Sequence, residues 1–397
     1  MSRHRHWHFT SESVAPGHPD KACDQIVDLI VDFFLDRDPL ARVGAEAMTA
    51  DRFLAICGEF RAESVVVDEA KYVLPYRIRD LLAKLYPEGT SGFDWASAKK
   101  TFELKRQSAE GVPGTDGGDA EGATDQGIMF GYACDETDEL MPLPIMLANR
   151  MMERHWRLFE AKTHSLGSDA KCQITVRYDG LVPKSVDKVV LSTQHVAGLD
   201  PKKLREFAIE EIINHVVPSH LRSAQIVYMV NPIGRFVDGG PRGDTGLSGR
   251  KIVADSYGGS APNGGGGLSG KDPSKMDRTG AYLARALAKG VVMAGLASRC
   301  SVQLAYAIGR TEPVSLTLDF HGTATGSASE STVEKILMSG VDMSPAGAIQ
   351  LMDLRRPIYE LTSTFGHFGR EKPEFTWEGA AAQKVCDAIE RALGEKS

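Results

Sequence analysis

The run GHPDK at residues 17–21 sets a histidine, a carboxylate and a lysine around a proline suited to open a helix. Free amide hydrogens and the positive end of the dipole make a helix N-terminus an anion site. On that reading His18 is a phosphate donor, Asp20 a hard metal ligand and Lys21 a nearby cation. A plainer reading leaves Asp20 complementing the dipole and His18 in a loop. A second run, GRFVDGGPRGDTGLSGRK (234–251), places Arg235, Arg242, Arg250 and Lys251 among six glycines and the carboxylates Asp238 and Asp244. Cations beside closely approaching backbone suit a polyphosphate, and a solvated surface hairpin is the alternative. A third, GGGGLSGKDPSKMD (264–277), holds Lys271, Asp272, Lys275 and Asp277 at a helix start with Pro273 near its first turn. If that turn forms, the two lysines, four apart, face the same way. Residues 265–272 nearly spell a P-loop, but Asp272 stands where Ser or Thr would meet magnesium, and no parallel α/β pattern surrounds it. His4, His6 and His8 alternate on an expected strand but have no visible fourth ligand. GHFGR (366–370) reads as packing with an exposed charge.

The elements that must position these residues follow from apolar spacing. From Pro19, apolar residues recur with a period near 3.6 through Phe34, which predicts an amphipathic helix. The next two runs, ARVGAEAMTA and RFLAICGEF, predict a hairpin carrying Glu46 and Glu59, and KKTFELK predicts a further strand. Residues 108–122, SAEGVPGTDGGDAEG, read as a mobile loop. The middle third predicts helix, two strands, helix, strand, and the last third opens with a helix near DPSKMD. Strands and helices mix without a strict βαβ rhythm, so the fold class expected is α+β. Thirteen of the forty glycines fall within residues 234–270, where backbone must come close to something. Strand-plus-helix packages of similar size recur three times, without a convincing sequence repeat.

Composition narrows the function. A chain of 397 residues, 42% hydrophobic and 25% charged, is an ordinary globular one of two to three domains. Its 46 basic against 53 acidic side chains, with no long basic run, argue against nucleic acid as partner. The 6 cysteines are scattered, without CxxC or clustered Cys/His spacing, which argues against structural zinc. No apolar export segment opens the chain, and its most apolar stretch, GVVMAGLA, is far short of the roughly 20 residues that span a bilayer. The expectation is a cytoplasmic protein with no membrane contact.

Taken in order, these loops resemble the S-adenosylmethionine synthetases. The resemblance runs through TSESVAPGHPDK, GATDQGIMFGYACDETDELMP, DAKCQITVRY, LSTQH, NPIGRFVDGGPRGDTGLSGRK, GGGGLSGKDPSKMDR and GHFGRE, and so covers nearly the whole chain. It implies three similar mixed sheet-and-helix domains in a pseudo-threefold arrangement, with the active site at a dimer interface and self-association as a homodimer or a dimer of dimers. The boundaries expected are an N-terminal domain at 1–108, a gating loop at 109–122, a central domain at 123–233 and a C-terminal domain at 234–397. The implied reaction joins the methionine sulfur to C5′ of ATP and releases tripolyphosphate, which the same site cleaves to pyrophosphate and phosphate, with Mg²⁺ and K⁺ as ions.

By motif match, the resemblance implies catalytic roles for His18, Lys171, Arg250, Lys271 and Lys275. His18 meets the region between ribose and triphosphate, and Lys171, Arg250, Lys251, Lys271 and Lys275 hold the phosphates. Asp169, Arg235, Asp244 and Gly267 complete the ATP site, with Phe236 and Ile308 flanking adenine. Glu59, Gln107, Asp125, Asp244 and Lys275 take methionine, Asp20 and Asp277 bind Mg²⁺, and Glu46 is linked to K⁺. The pattern is broken in places: GATDQG has Thr124 for a glycine, and GGGGLSGKD has Gly267 and Leu268 for Ala and Phe. A thioether that attacks carbon becomes a sulfonium with no proton to lose, so no general base is needed. Catalysis then falls to positioning and to stabilising a charged leaving group.

Overall fold

The computed structural model describes residues 6–394 apart from 89, 108–121, 164 and 327. His4 and all of the expected gating loop except Gly122 lie outside the described residues. In chain order, β1 (His6–Val14) leads to α1 (Pro19–Leu35), the hairpin β2 (Arg42–Ala50) and β3 (Phe53–Arg61), α2 (Ser64–Leu85), β4 (Lys99–Arg106), β5 (Gly127–Cys134) and α3 (Leu143–Glu160). The long strands β6 (Leu166–Asp179) and β7 (Val182–His195) follow, then α4 (Pro201–Phe207), α5 (Asn214–Val216), β8 (Arg222–Val230), the short β9 (Gly246–Leu247) and α6 (Ile252–Asp255). The chain closes with α7 (Met276–Met293), β10 (Arg299–Tyr306), β11 (Ser315–Asp319), α8 (Glu330–Gly340), α9 (Pro345–Met352) and α10 (Ala380–Gly394).

Among the described residues the strands form three sheets, in the orders β1-β6-β7-β8, β11-β10-β5 and β4-β3-β2-β9. The pairs β3–β4 and β7–β8 are parallel and the others antiparallel, so the architecture is α+β and not doubly wound. Each sheet borrows a strand from a distant stretch: β1 pairs with β6, β5 with β10 and β9 with β2. One hydrophobic core packs α1, α7, α10 and the two sheets around them, and a second fills the space between α3 and the β6–β7 pair.

Helix α1 departs from its sequence reading. Its apolar residues do repeat with helical period, but every residue from Pro19 to Leu35 is buried, the carboxylates included. Asp20, Asp24, Asp28 and Asp32 stand four apart on one face, and each accepts backbone N–H groups from a loop far along the chain. The donors are Leu247 to Asp20 (2.9 Å), Gly249 to Asp24 (2.8 Å), Gly270 to Asp28 (2.8 Å), and Tyr359 and Glu360 to Asp32 (2.9 and 2.8 Å). A buried carboxylate is costly unless hydrogen-bonded or paired, and these are all hydrogen-bonded. The helix expected in the middle third also differs: between α4 and α5, residues Ala208–Ile213 take the wider π form, which periodicity alone does not distinguish.

Candidate functional site

The expected site residues gather in two groups. The first surrounds the N-terminus of α1. His18 is its N-cap, and Nδ1 accepts the Asp20 N–H at 3.2 Å. Burial, with Lys251 adding to it, pushes the imidazole down to about 4, so the ring is neutral near pH 7. With Nδ1 accepting, the proton of the neutral ring sits on Nε2, ready to donate to an oxyanion. Asp20 takes Lys251 Nζ at 2.5 Å and faces Arg250 Nε at 3.7 Å. Burial opposes its charge, yet Lys251 and the Leu247 amide hold it below the usual carboxylate value. Asp169, buried, accepts the Gly240 N–H at 2.8 Å, and burial raises it to about 7. Lys171 pairs with Glu12 at 3.0 Å on the strand edge between β1 and β6. Asp244 caps its own turn through the Thr245 N–H at 2.7 Å. Arg235 is exposed, and Phe236 is tied by its backbone N–H to His195 Nε2 at 3.2 Å.

The second group lines a cleft of about 300 Å³ formed by Arg42, Glu59, Arg61, Gln107, Thr124, Asp125, Gln126, Met129, Lys271, Ser274, Lys275, Met276 and Asp277. None of His18, Asp20, Lys171, Arg250 or Lys251 borders it. Lys271 Nζ meets Asp277 at 2.6 Å and Lys275 Nζ meets Asp272 at 2.8 Å. Gln107 donates to Glu59 at 3.3 Å, and Asp125 caps its own turn at the Gln126 N–H, 2.7 Å. Thr124, where the family pattern has glycine, donates its hydroxyl to the Ser274 carbonyl at 3.2 Å and so ties the DQG turn to the lysine loop. Ile308 is exposed on the turn after β10, which pairs with Ala123 through Gly309 and Arg310. Phe236 and Ile308 are thus held by different parts of one chain. Glu46, exposed on β2, accepts the Ser248 hydroxyl and stands between the groups. Gly267 approaches Gly249, where an added Cβ would lie 3.2 Å from the Gly249 Cα.

Two sequence expectations are corrected. Lys21 is no free cation: it is buried between Asp24 (3.0 Å) and Asp255, which hold its charge against burial and raise it above the usual lysine value. Lys271 and Lys275 do not share the first turn of a helix, because α7 begins at Met276 with Lys275 as its N-cap. They meet in the cleft through a turn in which Ser274 and Lys275 donate back to Asp272. Among the described residues no three His, Cys, Asp or Glu side chains cluster as a metal site, and His6 and His8 face Asp179 and Asp187 instead. His367 is buried against the Tyr282 hydroxyl at 2.7 Å. Sequence reasoning missed Arg42 and Arg61. They pair directly at the open end of the hairpin, a register that the β2–β3 turn would have placed beside Glu59.

Known proteins resemble this chain along most of its length. The three domain models of S-adenosylmethionine synthetase match in order: the N-terminal domain over residues 6–109, the central domain over 120–236 and the C-terminal domain over 238–379. An S-adenosylmethionine synthase of a Nitratiruptor species is 46% identical over 392 residues, 97% of this chain and 99% of the relative. Those of Wolinella succinogenes and Helicobacter pylori are each 46% identical, over 93% of this chain and 95% of theirs. The chain belongs to the S-adenosylmethionine synthetase family.

Proposed function

We propose that this chain makes S-adenosylmethionine from ATP and L-methionine and then cleaves the released tripolyphosphate to pyrophosphate and phosphate in the same site. The observation that carries the reading is the convergence of five cations on two carboxylate-bearing groups: Arg250 and Lys251 beside Asp20, with Lys171, paired to Glu12, acting on the neighbouring His18, and Lys271 and Lys275 in the cleft that Asp277 lines. The methionine sulfur attacks C5′, the C5′–O bond breaks, and its electron pair leaves on the triphosphate. The sulfonium loses no proton, so the neutral His18 is a hydrogen-bond donor to the departing oxygen and not a base. The cations stabilise charge that grows on the phosphate chain, and the cleft residues Glu59, Gln107 and Asp125 hold the methionine ammonium and carboxylate ends.

The donor sets fit hard cations that arrive with substrate. The described residues form no complete metal cage, and magnesium characteristically takes one or two carboxylates plus substrate phosphates. Asp20 and Asp277 would hold Mg²⁺ and Glu46 K⁺; when bound, the divalent ion neutralises phosphate charge. Because the two groups do not line one cleft in a single chain, we place the working site between two copies. The first group of one copy then faces the second group of the other, so that Phe236 and Ile308 meet across the adenine. The test is incubation of the purified protein with ATP, Mg²⁺ and K⁺, with and without methionine, and identification of all products by mass. S-adenosylmethionine with pyrophosphate and phosphate is expected; ADP alone would overturn the reading.

A further inference from the structure

The two phosphate-facing turns are built alike. Leu247-Ser248-Gly249-Arg250-Lys251 and Leu268-Ser269-Gly270-Lys271-Asp272 share the pattern Leu-Ser-Gly-cation. In both the glycine has positive φ, +73° at Gly249 and +82° at Gly270. At Gly270 no other residue fits, since an added Cβ would lie 2.1 Å from the Ala45 carbonyl oxygen. In both the glycine N–H points at an α1 carboxylate at 2.8 Å, Asp24 for the first turn and Asp28 for the second. Those carboxylates are four residues apart, a separation of about 6 Å along the helix.

Neither carboxylate is left to one bond. Asp24 also takes Lys21, whose second partner, Asp255, donates its own N–H to the Lys251 carbonyl at 2.8 Å. Asp28 takes Arg278 at 2.7 and 2.8 Å, and the same guanidinium donates to the Lys271 carbonyl at 2.8 Å. Each cation turn is therefore gripped at the amide before the cation, and again at a carbonyl at or next to the cation, by residues of a fully buried charge network. Lys21 and Arg278 reach no substrate; they lock the carboxylates that hold the turns.

We infer that Asp24 and Asp28 are positioning residues, setting from one rigid helix where Arg250 and Lys251 and where Lys271 present their charge. The inference rests on the phosphate role proposed above for those cations. A shift of one turn by an ångström misplaces a cation aimed at a developing charge, a displacement able to cost about 10²-fold in rate. It leaves Glu59, Gln107 and Asp125, on β3 and beside β4 and β5, in place.

The experiment compares Asp24→Ala, which removes the acceptor for Gly249, with Asp24→Asn, which keeps an oxygen there; Lys21 retains Asp255 in both. Binding of inorganic tripolyphosphate to the full-length protein is measured by calorimetry, alongside steady-state kinetics and thermal unfolding. Asp24→Ala is expected to bind tripolyphosphate about tenfold more weakly and to lose about 10²-fold in kcat, with KM for methionine within about twofold of wild type. Asp24→Asn is expected to recover most of both losses. A folded Asp24→Ala protein that binds tripolyphosphate and turns over as wild type does overturns the assignment. Should Asp24→Ala fail to fold, Gly249→Ala carries the test. It strains the same turn from outside, its Cβ meeting nothing nearer than the Gly267 Cα at 3.6 Å; undiminished tripolyphosphate affinity there overturns the assignment equally. If wild type itself bound no tripolyphosphate, the phosphate reading of the cations would fall, and the positioning role with it.

Discussion

The two halves of the site are built to different degrees of completion. At the start of α1, Asp20 is buried and paired with Lys251, and the buried Asp169 accepts the Gly240 amide, so these groups are held in place before any ligand arrives. In the cleft, Glu59 and Asp125 are exposed, and Lys271 is paired with Asp277 in a contact that a phosphate chain would open by taking the lysine and a magnesium ion by taking the carboxylate. A fixed electrostatic half gains from reorganising nothing during reaction. An open half suits the entry and release of a ligand.

That contrast breaks most visibly in the cleft. Lys271→Ala is expected to lower kcat by about 10³-fold while the melting temperature stays within a few degrees of wild type, because the side chain is not part of the core. Mixing Lys271→Ala with His18→Ala subunits is expected to restore about a quarter of wild-type activity, since half the dimers carry one intact composite site. No restoration on mixing would mean that both groups serve a site within one chain. Asp277→Asn is expected to raise the magnesium concentration needed for half-maximal activity by about tenfold, read from a magnesium titration.

The buried half is tested by pH. Burial lifts Asp169 to about 7 from the usual 3.8, so between those values the folded protein holds a proton that the unfolded chain has released. Its contribution to stability is full at low pH and is lost as pH rises toward 7. Asp169→Asn keeps an acceptor for Gly240 and removes the buried charge. It is expected to melt a few degrees above wild type at pH 8 and level with it at pH 4, as followed by calorimetry. The smallest effect belongs to Thr124→Gly. Loss of the hydroxyl bond to Ser274 is worth about 1 kcal/mol and should change the methionine KM by less than about fivefold.

Much of this was legible in the residues. The hairpin β2–β3 follows from period-2 runs about a polar turn, and α1 and α7 from 3.6-residue spacing, because those patterns are local. The lysines and arginines proposed to face phosphate stand out in the sequence as glycine-flanked cations. What the order of residues hides is relative placement. Nothing in the helical spacing marks Asp24, Asp28 and Asp32 as buried acceptors, since their partners, like that of Asp20, are amides more than two hundred residues away. Lys21 read as available for the same reason, its second partner Asp255 lying 234 positions on. The separation of the site into two groups is likewise a property of packing, because each motif is complete in itself.

The burial of α1 also has a consequence for biosynthesis. The helix leaves the ribosome early, whereas the amides of Tyr359 and Glu360 that cap Asp32 are made 327 and 328 residues later. At typical elongation rates that interval is roughly 20 to 60 s, during which a helix buried on every face in the finished protein has no complete environment. Contacts of such long range also slow the final collapse. A nascent chain of this sequence therefore presents a prolonged target for chaperones, and truncation before residue 359 should yield aggregation-prone protein instead of a smaller folded unit.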